Sequence, residues 1–112
     1  MAEETREDDS LAKAAQKGDK TAEEELLRRY AGLVRAAARQ YFLQGGETED
    51  LIQEGMIGLY GAIRDFKKEK NGSFKNFAYV CVTHRILDAV GEKKKFAAQF
   101  VGAVIRRRGR YL

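Results

Sequence analysis

The chain has no proline and no tryptophan, one cysteine and one histidine. Without proline, no residue in it forbids a helix from within. The lone Cys81 excludes an internal disulfide framework and suits a reducing compartment. The lone His84, three residues further on, leaves that pair short of the ligands a zinc site needs. A thiol–imidazole nucleophile is the one catalytic option, and a small cysteine on an apolar helix face more often serves the core. No glycine-lysine phosphate loop is present. The apolar stretch at 100–105 is far shorter than the ~20 residues that span a bilayer. The N-terminus is acidic, unlike a signal peptide. These absences point to a non-enzymatic, cofactor-free, cytoplasmic protein with no membrane partner.

What is present favours helix. Alanine, leucine, glutamate, lysine and arginine dominate, and 112 residues suit one modest domain. The formal charge of +4 conceals a gradient: residues 1–25 carry nine acids against four bases, and residues 66–112 carry twelve bases against three acids. A basic end suits an anionic partner and an acidic end stays clear of it. Nucleic acid is the leading candidate, ahead of a membrane surface or simple solubility.

Residues 1–8 are charged without apolar periodicity and read as disordered. Asp9 or Ser10 then caps a short helix carrying Leu11, Ala14 and Ala15, which Gly18 ends. Thr21-Ala22-Glu23-Glu24 forms a capping box for a long helix with Leu26, Leu27, Tyr30, Leu33, Val34, Ala37, Ala38, Tyr41 and Phe42 on one face. Gly32 marks a candidate bend, and Arg28, Arg29, Arg35 and Arg39 fall on other faces and read as solvated, with partner contact as the alternative. Gly45-Gly46 breaks this helix, and a loop so short predicts an antiparallel partner. The polar run 67–72 reads as a basic loop, after which Ser73 caps a helix expected to reach Val90. A strand over 77–82 competes on propensity, but no turn closes it, and Ala78, Val82, Ile86 and Ala89 continue a helical stripe. Gly91 and Lys93-Lys94-Lys95 are expected to interrupt that helix. An apolar period then resumes at residues 96–105, before Arg106-Arg107-Arg108-Gly109-Arg110. The expected divisions are 1–20, an acidic segment with a short helix; 21–95, a helical bundle; and 96–112, a basic tail or extra helix.

Residues 48–66 organise the rest. Ile52, Met56, Leu59, Ile63 and Phe66 recur at helical spacing. Thr48 is placed to cap, and Glu49 and Asp50 suit the positive end of the helix dipole. Gly55, Gly58 and Gly61 lie inside this helix, each at a cost of roughly 0.5–1 kcal/mol relative to alanine. Such a cost is offset where another backbone comes close. That neighbour is either a helix of this chain or a helix of a partner docked on the ridge of Asp50, Gln53 and Glu54.

The string Asp50-Leu51-Ile52-Gln53-Glu54-Gly55-Met56-Ile57-Gly58-Leu59-Tyr60, with Phe74-Lys75-Asn76-Phe77-Ala78 downstream, resembles the core-polymerase-binding segment of bacterial sigma factors of the sigma-70 class. It is most similar to the sporulation or stationary-phase (sigma-H) type. The resemblance runs from about Leu26 to about Val90 and implies an all-α bundle of the sigma region 2 type, with long antiparallel helices and a short N-terminal one. By it, Asp50, Leu51, Gln53, Glu54, Met56, Ile57, Leu59 and Tyr60 contact core RNA polymerase, at the clamp coiled coil of the beta-prime subunit. It also leaves room for an anti-sigma factor.

The same resemblance assigns the following helix and basic loop to the promoter −10 element, whose non-template strand is separated and captured as single-stranded DNA. Flipping a base costs a few kcal/mol, which a pocket and a stacking surface must offset. Phe77 falls where an aromatic ring stacks on the flipped upstream adenine, and Lys75 and Tyr79 neighbour the strand. His84 and Leu87 face the duplex edge upstream. Apart from the resemblance, the residues themselves offer single-strand binding: rings at Phe74, Phe77 and Tyr79, and phosphate neutralisation at Lys67, Lys68, Lys70, Lys75 and Arg85. Phe74 reads as core. Val80 and Cys81 stand where housekeeping members carry two wedging tryptophans, which implies weaker melting and a stricter demand for −10 sequence. The C-terminal helix-turn-helix that reads the −35 element has no counterpart in these residues. The expectation is therefore an isolated domain or a single-domain relative that binds polymerase without recognising promoters autonomously. The alternatives are a polymerase-binding module with no promoter function and a sequence-independent helical DNA binder.

Overall fold

The computed structural model describes the backbone of residues 2–41 and 48–101, and the side chains of residues 6–41 and 48–91. Five helices make up the described residues: α1 (Ala2–Gln16), α2 (Lys20–Tyr41), α3 (Thr48–Asp65), the single turn α4 (Lys68–Asn71) and α5 (Phe74–Val101). The expected all-α class holds, and residues 77–82 are helical rather than extended.

α1 and α2 form a hairpin whose turn follows from local chemistry. Gly18 takes φ +104°; its N–H reaches the Ala15 carbonyl and the Asp19 N–H reaches the Ala14 carbonyl. This left-handed closure satisfies the last carbonyls of α1. Asp19 Oδ1 then accepts the Ala22 N–H at 3.1 Å. The cap of α2 is therefore Asp19, and the expected capping box at Thr21 is corrected: an aspartate just after the turning glycine starts the helix two residues earlier.

α3 is the centre. Gly55 faces Val34 of α2 and both Val82 and Ile86 of α5, while Gly58 faces Cys81 and Arg85. Further along α3, Phe66 meets Phe74 and Phe77. As residue numbers rise along α3 they fall along α5, so the two helices run antiparallel. The core joins Ala12, Leu26, Tyr30, Val34, Leu59, Ile63, Phe66, Phe74, Val82 and Ile86. Phe74 is fully buried, with Tyr30 and Phe66 edge-on to it at centroid distances of 5.2 and 5.6 Å.

Several sequence expectations are corrected. Residues 2–8 are helical, because α1 is held by charge as well as apolar contact. Asp8 is 7% exposed; its carboxylate accepts the Tyr30 hydroxyl at 2.5 Å and an Arg29 N–H at 2.9 Å. Burial, and then the hydrogen bond to Asp8, push the Tyr30 phenol well above its ordinary range. Arg29 also pairs with Glu7 and Glu25, so it braces α1 on α2 rather than lying solvated. Glu25 is held below the usual carboxylate range by Arg28 and Arg29.

α2 passes through Gly32 uninterrupted, and α5 runs through Gly91 and the lysine triplet to Val101. One glycine costs a helix about 1 kcal/mol, too little to end one that lysines continue. The basic loop contains the turn α4, closed at Gly72 with φ +79°. Ser73 acts as expected, its Oγ accepting the Asn76 N–H at 3.2 Å. Phe42, Gly45-Gly46 and residues 102–112 lie outside the described residues.

The glycines of α3 make a paired prediction. A Cβ on Gly58 meets the Cys81 carbonyl oxygen at 2.8 Å, backbone that cannot step aside, whereas one on Gly61 meets nothing nearer than Arg64 Nη2 at 4.0 Å. Gly58→Ala is expected to destabilise the fold by about 1–3 kcal/mol, and Gly61→Ala to stabilise it by about 0.5–1 kcal/mol. Urea denaturation of the two variants reads both signs.

Candidate functional site

α3 turns its buried side toward α2 and α5 with Leu51, Gly55, Leu59, Ala62 and Ile63. Its dry stripe is thus wider than the expected one, and shifted: Ile52 and Met56 flank it, half-buried against the core. The glycines explain the shift. Gly55 and Gly58 mark the closest approach of α5; of the two neighbours the sequence leaves open, the notch is filled by a helix of this chain and not by a partner. Only Gly61 has no close neighbour.

The opposite side of α3 is uncovered by the described residues. Glu49, Asp50, Gln53, Ile57, Tyr60 and Arg64 are exposed, and their spacing places them within one narrow stripe. Ile57 and Tyr60 are 48% and 44% exposed, an unusual pair of apolar groups on a charged helix face. Of the eight residues expected to contact a partner here, Asp50, Gln53, Ile57 and Tyr60 lie on this stripe. Glu54 lies at its edge, its Oε1 accepting the Arg85 Nε–H at 2.8 Å. Met56 is half-buried. Leu51 and Leu59 are 1% and 0% exposed; their side chains build the core, which corrects them as surface contacts. A motif written as a string spans every face of a helix, and only packing sorts them.

The second surface lies on α5 and the turn before it. Asn76, Val80, His84 and Leu87 are exposed and share a face by spacing. Tyr79, Val80 and Leu87 are 48%, 50% and 38% exposed. Lys67, Lys68, Lys70 and Lys75 are exposed around the α4 turn. Phe77 is half-buried, its ring 6.0 Å from that of Phe66 and tilted 43° to it. Phe74 lies fully inside, as expected. Two of the expected cations already have partners: Lys68 Nζ meets Asp9 Oδ2 at 2.6 Å, and Arg85 meets Glu54. Between the two surfaces lies a pocket of about 250 Å³ lined by Glu54, Arg85, Asp88 and Ala89.

Burial, then the charge of Asp65, pushes the Cys81 thiol up, the reverse of what activates a cysteine nucleophile. Among the described residues no group of three or more histidine, cysteine, aspartate or glutamate side chains is placed to hold a metal. Nor is any helix there long and apolar enough to cross a membrane. Asp9 and Ser10, expected to cap the first helix, lie inside α1; Asp9 instead reaches the start of α5 and Gln16 the end of α3, roles that no local pattern signalled.

The described residues thus form an α-helical bundle with a charged-apolar ridge on α3 and, on α5 and the turn before it, exposed aromatic and apolar groups beside a cluster of lysines. The chain belongs to the Sigma-70 region 2 family, whose match covers residues 26–96. It is 49% identical over 84 residues to the RNA polymerase sigma-H factor of Bacillus subtilis (strain 168), covering 75% of this chain and 38% of that protein. The sigma-H factor of Bacillus licheniformis is 48% identical over the same share of each chain. An RNA polymerase sigma-B factor of Bacillus anthracis is 39% identical over 75 residues, covering 67% of this chain and 26% of that one. The chain thus spans well under half the length of these relatives.

Proposed function

We propose that this chain acts in transcription initiation as the part of a sigma factor that binds core RNA polymerase and engages the promoter −10 element, in the cytoplasm. The α3 stripe of Asp50, Gln53, Ile57 and Tyr60, with Glu54 at its edge, docks on the clamp coiled coil of the beta-prime subunit. The α4 turn with Lys67, Lys68, Lys75, Phe77 and Tyr79 holds the non-template strand, and His84, Arg85 and Leu87 lie along its upstream edge. Membership of the family and the names of the relatives support the reading. The observation that carries it is the separation of the two faces: Ile57 and Tyr60 on one helix, Tyr79, Val80 and Leu87 on another, all exposed.

The role is binding, with no bond made or broken by the chain. Desolvated contacts from Asp50 or Glu54 to cationic partner groups contribute about 1.5–3 kcal/mol each. Phosphate contacts make affinity for single strands fall with salt at a slope of about −0.7 per phosphate neutralised. Val80 in place of a large ring gives a smaller wedge, and the −10 sequence must then open more easily by itself. Crosslinking of the chain to a −10 promoter fragment is expected only when core polymerase is added. Polymerase binding with no crosslink at all would identify a docking module without promoter function; crosslinking independent of polymerase would identify a general DNA binder.

A further inference from the structure

α1 precedes residues 26–96, the stretch that the family model matches, yet it grips both ends of the basic turn. The Gln16 side-chain amide donates to the Ile63 carbonyl at 2.9 Å and to the Phe66 carbonyl at 2.8 Å, at the C-terminal end of α3, where a helix leaves carbonyls unpartnered. At the far end of the turn, Asp9 Oδ1 accepts the N–H of Phe74, the first residue of α5, at 2.8 Å. Its other oxygen accepts from Lys68 Nζ at 2.6 Å. The Asp9 side chain is 10% exposed. Asp9 and Gln16 are two helical turns apart on one face of α1, a spacing of about 10 Å. A rigid rod with a cap at each end therefore sets the gap between the end of α3 and the start of α5.

We infer that α1 is a bracket for the DNA-facing turn, with Asp9 and Gln16 as positioning residues for Lys67, Lys68, Lys75 and Phe77. The inference rests on the proposed DNA reading and deepens it, because the residues that touch the strand are held in place by a helix that does not. Asp9 has two separable actions. As a cap it fixes the first turn of α5, which carries Lys75 and Phe77. As a charge it occupies one hydrogen-bonding arm of Lys68, whose side chain stays 63% exposed.

The test uses the full chain with core polymerase and a short fluorescent A/T-rich single strand, titrated across a range of salt. Asp9→Ala and Gln16→Ala are each expected to weaken strand binding, Asp9→Ala by about tenfold, with polymerase affinity unchanged. Asp9→Asn keeps an acceptor for the Phe74 N–H and releases Lys68. It is expected to hold or raise strand affinity, and to steepen the salt dependence by up to about 0.7 for one added phosphate contact. A role in folding alone would lower polymerase binding, strand binding and melting temperature together and leave the salt slope unmoved; that result overturns the bracket. If Asp9→Ala and Gln16→Ala bind the strand as wild type does while Phe77→Ala does not, the bracket is wrong and the DNA reading stands. If Phe77→Ala also binds normally, the DNA reading itself falls.

Discussion

Ile57→Arg is expected to weaken binding of the chain to bacterial core polymerase by roughly 30- to 700-fold, equivalent to about 2–4 kcal/mol. Ile57 is 48% exposed on a face that none of the described residues covers, next to Tyr60 and Gln53 on the same stripe. An apolar anchor at the middle of a dock loses its own burial when replaced, and a guanidinium there must be desolvated without a partner. The same substitution barely touches the fold, since an exposed position away from the core changes stability within about 0.5 kcal/mol. Affinity and melting temperature therefore part company at this residue. Leu51→Ala, on the buried side of the same helix, gives the contrast: it creates a cavity, costs the fold about 2–5 kcal/mol, and weakens binding only as unfolding does.

Phe77→Ala is expected to lower affinity for the −10 single strand by roughly 5- to 150-fold, the range that follows from about 1–3 kcal/mol per stacked base. Phe77 also leans on the Phe66 ring, so alanine removes packing as well as stacking. Phe77→Leu separates the two, because it retains apolar bulk against Phe66 and removes the flat face. Strand affinity is expected to fall with leucine nearly as far as with alanine, while the melting temperature falls less. Equilibrium anisotropy in the presence of core polymerase, beside thermal denaturation of each variant, measures both.

Much of the bundle was legible in the sequence. The period through Leu59, Ile63 and Phe66, the helical stripe Ala78–Val82–Ile86, the stop at Gly18 and the cap at Ser73 are local signals, and each reappears in the fold. What was not legible depends on pairs far apart in the chain. Asp8 looks like the end of an acidic tail and Asp9 like a cap of its own helix until Tyr30, Arg29 and Phe74 come within hydrogen-bonding distance. Gly55 and Gly58 look like a notch for a stranger until Val82 and Cys81 of α5 fill it. The candidate surfaces were half legible for a related reason. The motif around Gln53 identifies the helix, and only the packing shows that Leu51 and Leu59 point inward while Ile57 and Tyr60 point out.

The proposal of two docking surfaces on one small bundle is tried most directly by a crossed measurement: Ile57→Arg and Phe77→Leu, each titrated with core polymerase and, in complex at saturating polymerase, with the −10 single strand. Each variant should fail on one ligand only, Ile57→Arg on polymerase and Phe77→Leu on the strand. Wild-type polymerase affinity in Ile57→Arg would contradict the account, because the uncovered stripe of α3 would then have no part in docking.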